Sequence, residues 1–177
     1  MRKVIILDRD GTINRDTGYV HKIKDLEILP GVIEGLKKFQ NAGFRFVVVT
    51  NQAGLAKKVF ANADLDRFQD KLLKRLKIKG VKIEKIYHCP HHPEVTGNCE
   101  CRKPNVGLVR LAEKEFGFDA SSAIFIGDKD SDIQLGKNCG GLTILLKNNQ
   151  YPSSIKADFE AENLDSAFDI LKTSKLI

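Results

Sequence analysis

Five short apolar runs, Val4 to Leu7, Phe44 to Val49, Ile83 to Tyr87, Ala123 to Ile126 and Leu142 to Leu146, recur along the chain with helical patterns between them. Apolar runs this short, bounded by turn residues, read as buried strands. Val32 to Ala42, Asp64 to Leu76, Val106 to Phe116 and Asp130 to Asn138 carry helical spacing, and Leu164 to Leu171 reads as a last helix. Gly43 and Gly117 close the first and third of these. The alternation predicts an α/β fold: a parallel sheet with helices on both faces, its polar chemistry gathered at the carboxyl ends of the strands. The 177 residues are expected to form a single domain, 1–177.

None of the apolar runs approaches the roughly 20 residues of a membrane-spanning helix. Arg2 and Lys3 are followed by only four apolar residues before Asp8, which falls short of a secretory signal, so a cytoplasmic protein is expected. In that reducing compartment four cysteines are thiols or metal ligands rather than disulfides. A formal charge of +6 suits an anionic partner, either a phosphorylated metabolite or a nucleic acid. The densest basic stretch, Lys71 to Lys85, has no aromatics interleaved as a stacking platform would, and it reads as a solvated helix face.

Chemistry concentrates where strands end. Asp8-Arg9-Asp10-Gly11-Thr12 puts two carboxylates two residues apart where the first strand meets a glycine turn. Alone this is an ordinary turn signature. A carboxylate at a strand end can also attack phosphorus, and a second can pass a proton to the leaving oxygen, provided a cation offsets their repulsion. Magnesium takes oxygen ligands and works with carboxylates and substrate phosphate, so a third acid is expected. Gly127-Asp128-Lys129 supplies it after another strand, with Asp130 and Asp132 close behind. Thr50-Asn51-Gln52 can hydrogen-bond a phosphate oxygen, and Lys103 offers it a cation.

The irregular stretch from Cys89 to Pro104 carries Cys89-Pro90-His91 and Cys99-Glu100-Cys101. Three thiolates and an imidazole in two tight pairs make a closed tetrahedral zinc site, structural because no position remains for a catalytic water. The alternative is a loop of buried thiols with a surface histidine. His92 reads as solvent-facing or as an outer group supporting the ligands, and Cys139 as a small buried side chain. A zinc clamp would hold Arg102 and Lys103, which follow Cys101 directly.

Taken together, the Asp8 to Thr12 segment, Thr50-Asn51-Gln52, the Cys-Pro-His-His-Pro loop with its Cys-x-Cys-Arg-Lys-Pro, and Gly127-Asp128-Lys129 resemble the bacterial D,D-heptose 1,7-bisphosphate phosphatases of the haloacid-dehalogenase superfamily. The resemblance implies a Rossmann-like fold with a zinc-held loop and no large cap domain. It implies Asp8 as nucleophile, Asp10 as general acid then base, and magnesium held by Asp8, Asp128 and the backbone carbonyl of Asp10. By the same resemblance Thr50 and Lys103 steady the transferring phosphoryl group and Arg102 recognises the substrate. Asp16, Thr17, Gly18 and Tyr19 line the sugar pocket, with Asn51, Gln52, Ala53 and Lys129. The implied substrate is a small phosphorylated sugar, handled by a monomer without nucleic-acid or membrane partners. Histidinol phosphate remains the rival substrate, although the 177-residue length is expected to leave no room for the dehydratase domain that often accompanies that enzyme. One departure is Lys57-Lys58, where the family often has Arg-Gly.

Overall fold

A computed structural model of the chain describes residues 3–147, 150 and 152–177; Arg2, weighed above, lies outside them. The strands are β1 (Val4–Leu7), β2 (Arg45–Asn51), β3 (Ile83–Cys89), β4 (Ile124–Gly127), β5 (Leu142–Leu146) and β6 (Phe159–Ala161). They form one sheet in the order β3-β2-β1-β4-β5-β6, with every neighbouring pair parallel. The helices are α1 (Val32–Asn41), α2 (Asn62–Ile78), α3 (Pro93–Thr96), α4 (Gly107–Phe116), α5 (Asp130–Cys139) and α6 (Leu164–Thr173). Among the described residues no helix is long and apolar enough to cross a membrane.

Successive side chains of a strand point to opposite faces, and β1 shows why it reads as unbroken apolar sequence. Ile5 and Leu7 pack in one core with Leu36 and Phe39 of α1, Phe68 of α2 and Leu164 of α6. Val4 and Ile6 pack in a second core with Val109 and Ala112 of α4 and Leu135 of α5. Both faces are therefore covered, and burying each such side chain contributes about 1.5–3 kcal/mol.

β2 and β3 run past their apolar stretches, pairing Thr50 with His88 and Asn51 with Cys89. Ladder hydrogen bonds use only backbone groups, so polar residues can continue them. Two of these strands and helices have no counterpart in the sequence reading. β6 is three residues long, too short for a periodic signal, and its approach is held by Asp158, which accepts from Thr143 N at 2.8 Å and Thr143 Oγ1 at 2.7 Å. α3 is a single turn that opens on Pro93. The strand order reverses direction at β1, so the carboxyl ends of β1 and β4 flank a crevice, the place where open parallel sheets bind ligands.

Candidate active site

Asp8 follows β1 and Asp128 follows β4, so the crevice begins with two acids on adjacent strands. Lys103 reaches them from the far end of the cysteine loop. Its Nζ donates to Asp8 Oδ1 at 2.6 Å and to the Val49 carbonyl at 2.7 Å, and lies 2.7 Å from Asp132 Oδ1. Burial alone would pull this ammonium down, but Asp132 and Asp8 outweigh it and hold the group above the usual lysine value. Burial, and then the charge on Asp8, push the Asp128 carboxyl up to about 8.

Oxygens of Asp8, Asp128 and Asp132 all lie within 4.8 Å of one another. At an effective dielectric near 20, two unit charges at that spacing repel by about 3.5 kcal/mol. Hard oxygen donors crowded at that cost fit a divalent cation such as magnesium. Asp132 brings its carboxylate into the cluster; Asp130 turns away and instead accepts from the backbone N–H and hydroxyl of Ser154. Two residues apart on a helix, their side chains leave in nearly opposite directions.

The carboxylate of Asp10 is not in that cluster. Its Oδ1 accepts from Arg9 Nε at 2.8 Å and Asn14 Nδ2 at 2.9 Å, and its Oδ2 from Arg9 Nη2 at 2.7 Å and Gln52 Nε2 at 2.8 Å. Arg9 is fully buried, also donates to the Val20 carbonyl, and lies over the Phe68 ring. Asp10 is thus held as an oriented acceptor beside Asp8.

Gly11 makes this packing possible. It adopts φ +89°, and a Cβ there would fall 2.2 Å from Asp128 Oδ2. A left-handed backbone costs an L side chain roughly 1–2 kcal/mol before that collision is counted. Gly11→Ala should therefore displace Asp128, and the magnesium concentration for half-maximal activity should rise by about tenfold or more. Unchanged magnesium dependence in a titration of this variant would refute the arrangement.

A cavity of about 410 Å³ opens over these acids, with Asp8, Asp10, Thr50 and Lys103 in its lining. Asp16, Gly18 and Tyr19 contribute from the loop after β1, and Ala53 from the loop after β2. Thr17, expected beside them, is exposed and outside the cavity lining. Lys129 lines the cavity and donates to Asp16 Oδ2 at 2.8 Å. Asn51 and Gln52 also line it, but their amides serve other residues. Asn51 accepts from the Lys103 backbone N–H at 3.0 Å and donates to the Lys103 carbonyl at 3.2 Å, while Gln52 bonds Asp10 and Thr50. Lys57, at the departure from the family pattern, places Nζ 5.8 Å from the Tyr19 ring centroid.

Cys89, His91, Cys99 and Cys101 converge so that one ligand atom from each lies within 4.8 Å of the rest. His91 Nδ1 is 3.2 Å from Cys101 Sγ, and Cys89 Sγ is 3.6 Å from Cys99 Sγ. Burial pushes the Cys89 thiol well above its usual range, a penalty that a bound cation removes. Three thiols and an imidazole at this spacing fit a closed zinc site. Cys139 is buried away from them, as a small core side chain.

Several working residues escaped sequence reasoning: Arg9 and Asn14, which grip Asp10, and His92, which lines the cavity. Arg9 lies inside the Asp-x-Asp motif, so a charged residue between two acids was the available signal. His92 had none beyond its neighbour His91.

The family model described as polynucleotide kinase 3 phosphatase matches residues 3–170. The D-glycero-alpha-D-manno-heptose-1,7-bisphosphate 7-phosphatase of Photorhabdus laumondii is 38% identical, over 99% of this chain and 96% of that protein. Its counterpart for the beta anomer in the same organism is 36% identical over 97% and 94%. Among solved structures, the D,D-heptose 1,7-bisphosphate phosphatase from B. bronchiseptica, complexed with magnesium and phosphate, superposes with TM-score 0.83 at 28% identity, covering 97% of this chain and 99% of that one. Agreement over nearly the whole length of both partners places this chain in the polynucleotide kinase 3 phosphatase family and, within it, among the heptose-bisphosphate phosphatases of haloacid-dehalogenase fold.

Proposed function

We propose that the chain is a magnesium-dependent phosphatase that removes the 7-phosphate of D-glycero-D-manno-heptose 1,7-bisphosphate through an aspartyl-phosphate on Asp8. The observation that carries this is the Asp8 carboxylate in the cavity lining, held by Lys103 beside Asp128 and Asp132. Magnesium would be held by Asp8, Asp128 and the backbone carbonyl of Asp10, with Asp132 of the acid cluster paired to Lys103, and would neutralise charge on the phosphoryl oxygens. An Asp8 oxygen attacks phosphorus as the bond from phosphorus to the sugar oxygen breaks. Asp10 enters this step protonated: one of its side-chain hydrogen bonds gives way to the ester oxygen, and the proton on its carboxyl passes to the leaving alkoxide. It then takes a proton from the water that attacks the aspartyl-phosphate, releasing phosphate and regenerating Asp8. Thr50 and Lys103 steady the moving phosphoryl group.

The sugar lies along Asp16, Gly18, Tyr19 and Ala53, with Asn51 and Gln52 shaping that wall through the bonds they make to Lys103 and Asp10. The chain acts as a monomer, and residues 1–177 act as one domain. The reducing cytoplasm suits the thiolates of the zinc loop. Against a polynucleotide substrate, the described residues lining the cavity offer the rings of Tyr19 and His92 but no row of rings for successive bases to stack on.

A substrate panel tests the reading: both anomers of heptose 1,7-bisphosphate, histidinol phosphate and a 3′-phosphorylated oligonucleotide, each with and without magnesium. The heptose bisphosphate should have the highest kcat/KM, and only with magnesium. A tenfold advantage for histidinol phosphate or the oligonucleotide would replace this substrate.

A further inference from the structure

His92 has no part in the chemistry above, yet it lines the same cavity as Asp8, Arg102 and Lys103. Its ring is oriented by the turn it begins: Nδ1 accepts the Glu94 N–H at 3.3 Å, and His92 caps α3. An imidazole nitrogen that accepts an N–H carries no proton, so in the neutral ring the proton sits on Nε2. Nε2 makes no hydrogen bond among the described residues, which leaves a donor for whatever fills the cavity.

The charges around it indicate what that is. Lys103 is committed to Asp8 and Asp132, and Lys129 to Asp16. Arg102 forms no ion pair among the described residues; its Nη1 donates to the His91 carbonyl at 3.0 Å. That bond ties together the two arms of the cysteine loop. Each arm then delivers a cavity side chain directly after a zinc-type ligand, His92 after His91 and Arg102 after Cys101. An imidazole N–H donor lining the same cavity as a guanidinium that has no ion pair among the described residues is a site for a phosphate other than the one held over Asp8.

We infer that His92 is a substrate-binding residue, donating from Nε2 to the non-reacting phosphate of the bisphosphate beside Arg102. This rests on the substrate reading above and assigns its second phosphate.

His92→Asn is the informative variant, because asparagine is a good N-cap and keeps the turn, while its amide is too short to replace Nε2. The measurements are zinc content, melting temperature, and kcat/KM for heptose 1,7-bisphosphate and for heptose 7-phosphate, which lacks the second phosphate. With zinc retained, the preference for bisphosphate over monophosphate should fall by about tenfold, most of it in KM for the bisphosphate. An unchanged preference, or zinc lost together with activity toward both sugars, would overturn the assignment. If the wild-type protein hydrolyses neither sugar, the substrate reading itself falls, and this inference with it.

Discussion

Asp8→Asn should lower turnover by roughly four orders of magnitude or more while leaving the fold intact. An amide cannot attack phosphorus as a carboxylate does, so the covalent step is lost outright. Stability is another matter. Breaking a buried ion pair usually costs about 3–5 kcal/mol because the surviving charge is stranded. Here Lys103 keeps Asp132 and the Val49 carbonyl, so it is not stranded. The substitution also removes a charge that raises the Asp128 carboxyl, relieving repulsion in the acid cluster. The melting temperature should therefore move by no more than a few degrees, about what 1 kcal/mol produces in a chain of this size. Turnover above about one per cent of wild type, or an acid-stable phosphoenzyme formed without Asp8, would remove Asp8 from the covalent route.

Loss of the zinc site should have the largest effect on stability, and it should reach the active site as well. Cys99→Ser removes one of four ligands, and structural zinc contributes on the order of 10 kcal/mol of apparent binding energy in small zinc-held units. Losing several kcal/mol of that should lower the melting temperature by roughly 10 °C. Zinc content should fall in parallel. The effect spreads because Arg102 and Lys103 follow Cys101 without an intervening residue, and Arg102 leans on the His91 carbonyl. Lys103 has separate support from Asn51, so it should be displaced less than Arg102. The expected kinetic signature is a KM increase larger than the fall in kcat. Full zinc content and an unchanged melting temperature in Cys99→Ser would remove Cys99 from the zinc site.

Much of the site was legible because its signals are local. An apolar run ending in an acid identifies a strand end wherever it occurs, so Asp8 and Asp128 could be read without knowing which strands were neighbours. The cysteine and histidine pairs were legible for the same reason, since ligands two residues apart carry their geometry with them. Asp132 was only half legible. Its presence near the rim followed from the sequence, but its turn toward Lys103, and that of Asp130 toward Ser154, depends on where α5 lands on the sheet.

By itself, then, the order of residues determined the alternation of strands and helices, the acids at two strand ends and the metal-type loop. Each of these depends on chain neighbours within a few positions. Tertiary structure alone decided that Lys103 meets Asp8 across 95 positions, that Gln52 and Asn14 converge on Asp10, and that β6 forms at all. It also decided that His92 faces the cavity. Those contacts follow from strand order and helix docking, and these are settled by burying two apolar faces of one sheet at once rather than by any local pattern.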